Sequence, residues 1–201
     1  MTTRATLRTA LRGRLEDLGA GPLWDDALLN EAIAAAIRHY GQRLPAHRTL
    51  SLTLAAGARD AVLPTDVEDD RIVAVVDPSG GRVPRHRAVA GDDTPPAAQA
   101  WRAWGGLLAL DLPSAAGAWR VEYRAARAIP ADDAVGVDVV AGDEEIVLDL
   151  AAAVALDQRV VADAKRGTAN GVLQARASMA RQATERALAH RRRVVRGAWL
   201  G

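Results

Sequence analysis

The spacing of the apolar residues changes twice along this 201-residue chain, and that change restricts the folds open to it. Up to about residue 40, apolar side chains recur every three or four residues, as in amphipathic helices. From residue 48 they recur every second residue, as in half-buried strands, and after residue 142 the helical spacing returns. The sequence therefore predicts an α+β fold, in which a helical domain (residues 1–47 and 142–201) carries an inserted antiparallel β module (residues 48–141).

Two helices are predicted in the N-terminal part, one over residues 3–18 and one beginning after Asp25. Asp25 is a favourable N-cap, and Trp24 before it is placed to pack onto Leu29. Gly41 and then Pro45 are expected to end the second helix. The apolar row of the first helix consists of Leu7, Leu11, Leu15 and Leu18. The two apolar rows predict a pair of helices that bury one side each.

The β module is predicted from alternating segments that are separated by turn residues. Residues 48–54 and 71–76 are expected to form strands, and a short strand is expected near residues 82–87. Residues 107–112 and 119–124 flank a turn at 113–117 and predict a hairpin. Residues 88–100 are expected to form a loop. Trp101 and Trp104 follow this loop, where they either fill the core of the module or contact a partner.

Two further helices are predicted at the C-terminal end. The first begins at Gly142 and ends near Lys165, with acidic residues in its first turn that favour the positive helix start. The second covers about residues 172–195, and Arg181 and Glu185 lie four residues apart on it, a spacing that allows an ion pair. The apolar side of the first of these helices consists of Ile146, Leu150, Val154 and Val161.

The charges are unevenly distributed although the net charge is only +1. Residues 2–14 hold four arginines and no acid, residues 171–201 hold seven arginines and one acid, and residues 132–149 hold seven acids and no Lys or Arg. Such a distribution suits association with like copies or with neighbours of mixed charge. No apolar stretch is long enough to span a membrane, and residues 1–8 lack the apolar core of a signal peptide, so a cytoplasmic site of synthesis and no membrane partner are expected.

The sequence carries no pattern that points to catalysis, so an enzyme is not expected. Cysteine is absent, the single lysine, Lys165, does not lie in a phosphate-binding loop, and no Gly-x-Ser-x-Gly segment is present. The histidines lack the spacing of a metal site, and they are His39, His47, His86 and His190. Asp132 and Asp133 are read as part of a solvated loop rather than as a calcium or acid–base site. We therefore predict no catalytic residue, no cofactor and no metal.

The basic C-terminal residues leave two roles open. Arg176, Arg181 and Arg186 step five residues apart and so spiral around the helix, which does not give one phosphate-binding face. The run at residues 191–196 is denser, and it suits either a solvated or subunit-contacting role or a contact with nucleic acid phosphates. Trp199 lies close to the end of the chain and is the best single candidate for an anchor on a neighbour.

Several short motifs resemble the head-to-tail connector (adaptor) proteins of tailed bacteriophages and prophages. Residues 23–33 read Leu-Trp-Asp-Asp-Ala-Leu-Leu-Asn-Glu-Ala-Ile, similar to the tryptophan, aspartate, leucine-asparagine, alanine-isoleucine helix of that family. Leu63-Pro64-Thr65-Asp66 stands at the place of the family's Leu-Pro-x-Asp step. Residues 119–124 and the closing helical pair that begins at Asp143 follow the family's general plan. The resemblance extends over most of the chain.

The resemblance implies a structural ring subunit of the virion neck, assembled in the host cytoplasm. Such rings, commonly of twelve copies, dock beneath the portal protein and extend the DNA channel towards the tail. The last helix and the tail would be the docking element, and the β module would face outward or towards the next neck or tail protein. The residues implied in docking to the portal or to a neighbour are Arg191, Arg192, Arg193, Arg196, Trp199 and Leu200. Those implied in non-specific contact with packaged DNA are Arg176, Arg181 and Arg186.

Two other functions remain open from the sequence. The first is a tail-completion or tail-terminator protein of the same virion, which the mass and the ring symmetry of the assembly would distinguish from a neck ring. The second is a small DNA-binding regulator that uses the basic ends of the chain. Such a regulator should bind duplex DNA as a small oligomer, with an affinity that falls steeply with salt.

Overall fold

A computed structural model describes residues 2–19, 23–86, 98–168 and 170–197, and for residues 192–197 it describes the backbone only. The chain divides into two compact units, a helical unit of Met1–Pro45 with Ala126–Gly201 and a β unit of Ala46–Ala125. The predicted α+β class, with two helices at each end of the chain, is confirmed. Helices span Arg4–Arg14 (α1), Asp26–Arg43 (α2), Glu144–Lys165 (α3) and Gly171–Gly197 (α4).

The first helix is shorter than its leucine row predicted. α1 ends at Arg14, and Glu16 follows with φ at 60°, a left-handed conformation that turns the chain away from the helix axis. Leu7, Leu11 and Leu15 are buried as expected, whereas Leu18 is 76% exposed. The prediction that Leu18 belongs to the buried row was therefore wrong, because the helix stops one turn before it.

The second helix begins as predicted and ends between its two expected stop residues. Asp25 caps α2 by accepting a hydrogen bond from the backbone N–H of Leu28 at 2.7 Å. Gly41, the first of these residues, lies inside α2, which ends at Arg43, two residues before Pro45. A Cβ at position 41 would lie 2.9 Å from Cγ of Arg127. Gly41 therefore serves close packing against Arg127 rather than helix termination.

The core of the helical unit is built by the inward faces of all four helices. Trp24 is buried in it with Leu29, and its indole N–H donates to the carbonyl oxygen of Ala155 at 3.3 Å. On α3, Leu150 is buried, but Val161, which the sequence placed on the same apolar side, is 54% exposed. The predicted apolar side of α3 was therefore wrong at its C-terminal end. The buried small residues of this helix are Ala151, Ala152, Ala153 and Ala155.

The segment of residues 126–141 belongs to the helical unit and not, as predicted, to the inserted β module. Its backbone pairs with the N-terminus through an isolated bridge between Thr3 and Gly136. Its Asp133 binds Arg8 at 2.7 Å and Arg4 at 2.8 Å. These hydrogen bonds, chiefly the one from Arg8, hold the pKa of the Asp133 carboxyl below its ordinary value. The Asp132–Asp133 pair is thus partly an ion-pair partner of α1 rather than only a solvated loop.

The β unit contains two antiparallel sheets, with strand orders β1-β7-β3-β4 and β2-β6-β5. Two nine-residue strands, β1 and β7, pair along their whole length. The hairpin predicted from residues 107–112 and 119–124 was wrong, because β6 pairs with β5 while β7 lies between β1 and β3 in the other sheet. The strands are β1 (Ala46–Leu54), β2 (Asp60–Val62), β3 (Ile72–Val76), β4 (Arg82–Val83), β5 (Trp101–Trp104), β6 (Leu107–Leu110) and β7 (Gly117–Ala125).

A mixed apolar core fills the β unit, and tryptophans are central to it. Trp119, Val121 and Tyr123 point to the buried side of β7, as their alternation predicted. Trp101 is buried, and its indole N–H donates to the carbonyl oxygen of Val83 at 3.1 Å. The core alternative is therefore confirmed for Trp101 but not for Trp104, which is exposed.

Replacing Trp24 by Ala should lower the free energy of unfolding by about 3–5 kcal/mol, because the change empties a large buried volume. The expected result is a clear fall in the thermal midpoint, measured by circular dichroism. Trp104→Ala is the matched control, since that side chain is exposed and its loss should change stability by less than about 0.5 kcal/mol. Equal melting curves for the two variants would show that Trp24 does not stabilise the helical unit.

Candidate functional site

The C-terminal helix α4 is the longest element of the chain, with 27 residues and hence a length of about 40 Å. Only one narrow stripe of its described side chains is buried, and it consists of Ala177, Thr184 and Leu188. The Thr184 hydroxyl donates to the carbonyl oxygen of Ala180 at 2.7 Å, so its burial leaves no unmet donor. Most of the described surface of α4 is therefore exposed to solvent.

A buried carboxylate fixes the C-terminal half of α4. Asp143 precedes α3 and is only 4% exposed. It accepts a hydrogen bond from the Tyr40 hydroxyl at 2.7 Å, and Arg191 of α4 binds it at 2.9 Å. Burial raises the pKa of the Tyr40 hydroxyl, and the hydrogen bond to Asp143 raises it further. The charge of Asp143 is thus compensated by two donors, from α2 and from α4.

A guanidinium group also lies over the face of the Tyr40 ring. The guanidinium carbon of Arg127 lies 5.4 Å from the ring centroid, and Arg127 binds Asp138 at 3.2 Å. The same guanidinium donates to the carbonyl oxygen of Leu44 at 2.9 Å. Arg127 thus links the end of α2 to residues 126–141 around the tyrosine that holds Asp143.

Exposed ion pairs tie α4 to the rest of the helical unit along its length. Glu185 forms hydrogen bonds with the His39 ring at 2.7 Å and with Arg43 at 3.3 Å. Arg181 pairs with Asp157 of α3, and this hydrogen bond raises the pKa of Arg181. The predicted pair between Arg181 and Glu185 was therefore wrong, because both side chains have partners on other helices.

The outward side of α4 presents short, mostly uncharged side chains. It contains no acid, and the one arginine on it, Arg186, is exposed and forms no ion pair within the described residues. Met179 and Val172 are large apolar side chains on this side that remain exposed. The outward side consists of Val172, Ala175, Ser178, Met179, Gln182, Ala183, Arg186, Ala189 and His190. We call these residues the α4 face.

The predicted docking residues fall into two groups. Arg191 is held inside the helical unit by Asp143, so its guanidinium contributes to the fold. The side chains of Arg192, Arg193 and Arg196 lie outside the described part of the chain, and so do residues 199–200, the Trp and Leu of the prediction. Their role in docking stays a prediction.

The predicted DNA-contacting arginines are not equivalent. Arg176 binds Glu16 at 3.1 Å and Arg181 binds Asp157, so each has an acidic partner within its own chain. Arg186 alone of the three is exposed without an ion pair in the part of the chain that the structure describes. Direct phosphate contact therefore fits Arg186 better than the other two.

The basic N-terminal segment is neutralised within the helical unit. Each of its four arginines has at least one carboxylate partner, and the pairs are Arg4–Asp133, Arg8–Asp133, Arg8–Asp26, Arg12–Asp17, Arg12–Asp26, Arg14–Glu145 and Arg14–Asp149. The uneven charge distribution suggested association between copies. In part it instead reflects ion pairs between segments of the same helical unit. These four arginines therefore do not form the unpaired basic surface that a DNA-binding regulator would need at the N-terminal end of the chain.

Among the described residues, no group of three or more His, Asp or Glu side chains is arranged to hold a metal ion. His86 is paired with one carboxylate, that of Asp111, at 2.6 Å. In the same described part, none of the helices has the length and hydropathy needed to cross a membrane.

Sequence reasoning missed the role of Asp143. The sequence marked this residue only as a helix start, yet its side chain makes no capping hydrogen bond and instead binds Tyr40 and Arg191. Its partners lie 103 and 48 residues away along the chain, so no local spacing could have revealed the contact.

Asp143→Ala should destabilise the helical unit by about 1–3 kcal/mol, since the buried Tyr40 hydroxyl then has no acceptor. Arg191 also loses its partner, so amide hydrogen exchange should become faster in the C-terminal half of α4. Glu31→Ala is the control and should alter neither quantity, because Glu31 is exposed on α2 and its carboxylate has no hydrogen bond or ion pair among the described residues. Unchanged exchange in α4 of the Asp143 variant would contradict this role.

Comparison with known families identifies the chain. The sequence profile described as SU10 adaptor protein matches residues 2–199, which is nearly the whole chain. No individual curated protein matches it. The family match confirms the resemblance to phage adaptor proteins, which are structural components of the virion and associate with other virion proteins. The chain therefore belongs to the SU10 adaptor protein family.

Proposed function

We propose that this chain is a ring subunit of a virion neck, docked beneath the portal protein, where it joins head to tail around the DNA channel. The observation that carries the proposal is the attachment of α4, which is fixed along one stripe and leaves the α4 face, residues 172–190, open over about 27 Å. A long, rigidly held helix with a nearly uncharged outer side is suited to pack against another subunit.

The electrostatics support an assembly role over a regulatory one. The four N-terminal arginines and three of the C-terminal arginines are paired with acids of the same helical unit. Exposed pairs of this kind contribute little stability each, but they remove charge that a DNA-binding surface would need. Among the described side chains of α4, Arg186 then provides a positive charge without an acidic partner on each copy. Repeated around a ring, such a charge suits passing contact with DNA that reads no sequence.

The α4 face is assigned to the contact between neighbouring ring subunits, and the tail after Arg191 to the contact with the portal. Met179 and Val172 supply the apolar centre of the subunit contact. A ring needs a heterologous contact, in which the α4 face of one copy meets a different surface of the next. The alternative, a tail-completion or tail-terminator protein of the same virion, predicts a different assembly mass and no portal contact.

Met179→Glu should prevent ring formation without unfolding the subunit, because it places a charge at the apolar centre of the proposed contact. Mass photometry of the purified protein with portal protein should show rings, of about twelve copies by family resemblance, for the wild type and monomers for the variant. Val73→Glu, an equivalent change at an exposed position of the β unit, is the control. Rings of normal mass from the Met179 variant would exclude the α4 face as the subunit contact.

Truncation after Arg191 should abolish binding to purified portal protein while the fold is retained, since the Arg191–Asp143 pair is preserved. The measurement is co-sedimentation with portal rings, with circular dichroism as the test of folding. Arg186→Ala, which changes one charge upstream of the cut, should still co-sediment. Normal portal binding by the truncated chain would remove the tail from the docking element.

A further inference from the structure

The outer side of the three-stranded sheet carries an unexpected row of large apolar side chains. Val62 of β2 lies directly opposite Leu107 of β6, and Leu107 lies directly opposite Trp104 of β5. Residues opposite each other in antiparallel strands share one side of the sheet, so the three side chains form a continuous row. They are 75%, 41% and 83% exposed in that order. We call this row the apolar ridge.

The β unit does not need the ridge for its own core. The opposite side of the same sheet is buried through Trp101, Leu108 and Leu110. Burial of these inner side chains already stabilises the sheet, whereas the side chains of the ridge remain exposed to solvent. A contiguous exposed patch of this kind marks an interaction surface, and tryptophan is the residue most enriched at the centre of such surfaces.

The backbone turn that joins the two strands beside the ridge is held by hydrogen bonds. β5 and β6 are joined by Gly105 and Gly106, both with positive φ (60° and 78°), as in the tight turn that suits the twist of two paired strands. Gly106 accepts a hydrogen bond from the backbone N–H of Leu63 at 2.8 Å, and its own N–H donates to Asp69 at 3.3 Å. A preordered tip loses little conformational freedom on binding.

The surroundings of the ridge are acidic. The next row of the sheet begins with Asp60, which is exposed. The segment 66–70, which supplies the Asp69 contact to the tip, contains four acids, Asp66, Glu68, Asp69 and Asp70. Arg71 pairs with Glu68 at 2.8 Å, so these two charges cancel. Arg59 adjoins Asp60 and Arg102 lies in the row of Asp60, so the remaining four acids exceed the remaining two bases by two. A partner for this surface should therefore carry positive charge around an apolar centre.

We propose that the apolar ridge docks into an apolar recess, edged by Arg or Lys side chains, on a different protein of the virion. This inference rests on the proposed neck function and adds a second docking surface, in the β unit, to that of α4. A symmetric pairing of two ridges would bring the two acidic surroundings together, and the repulsion disfavours a second copy as the occupant. The side chain that enters the recess most deeply is Trp104, the most exposed of the three.

The test uses the full chain with two purified proteins, the portal protein and the neck or tail protein encoded beside it. Affinities are measured by biolayer interferometry at low and high salt. We expect Trp104→Ala to weaken binding to the neck or tail protein by at least about 10-fold, as for a central tryptophan at an interface, and to leave portal binding unchanged. Asp60→Lys should weaken the same binding at low salt and much less at high salt, because the lost attraction is screened.

Two controls make the outcome specific to the ridge. Val73→Ala removes an exposed apolar side chain from the other sheet and should bind like the wild type. The fluorescence difference between the wild type and Trp104→Phe isolates the Trp104 emission, which should shift to shorter wavelength on binding as water is excluded.

Each other result would overturn the inference in a recognisable way. Equal affinity of the Trp104→Ala and Val73→Ala variants would reject the ridge but leave the proposed neck function standing. A wild type that binds neither protein would reject the neck function itself. A Trp104→Ala variant that binds both proteins normally but forms rings of lower mass would show that the ridge docks onto a second copy of this chain.

Discussion

The helical unit depends on one buried carboxylate. Asp143 receives the Tyr40 hydroxyl from α2 and the Arg191 guanidinium from α4, at the point where α3 begins. A charged group that is 4% exposed is costly unless its lone pairs are filled, and here two donors from separate helices fill them. The same contact that satisfies Asp143 therefore also fixes the direction of α4. Because α4 carries the proposed subunit and portal contacts, this one polar group underlies the presentation of both.

The charge pattern of the chain has a structural explanation. The arginines of α1 face Asp133, Asp26, Asp17, Glu145 and Asp149, and so the basic N-terminus and the acidic stretch at residues 132–149 meet inside one unit. Each exposed pair contributes at most about 1 kcal/mol, but together they leave few unpaired charges on this part of the surface. An adaptor that must meet several protein partners benefits from such a surface, since stray charge attracts the wrong partners.

Local patterns predicted the elements well and their long-range partners poorly. The caps and apolar rows gave α2 and the C-terminal helices nearly complete, because these features depend on residues a few positions apart. The pairing of β6 with β5 rather than with β7 depends on the whole sheet, and strand β5 was hidden because its two tryptophans face opposite sides. The residues of the candidate site were likewise predicted only where local sequence was sufficient. The exposed α4 arginine at 186 was anticipated, whereas the Asp143 contact and the apolar ridge arise from residues that are distant in sequence.

The pairing of β1 with β7 has a consequence for how this chain can change over time. The first and last residues of the β unit, Ala46 and Ala125, stand opposite each other in the register, so the chain enters and leaves the unit at neighbouring points. Directly opposed residues in antiparallel strands lie only about 5 Å apart. A gap that short can be closed by a tight turn or occupied by another module whose ends also meet. Loss or exchange of the β unit would therefore leave the two parts of the helical unit's chain joined across a short gap, with the helices, α4 included, unchanged in sequence.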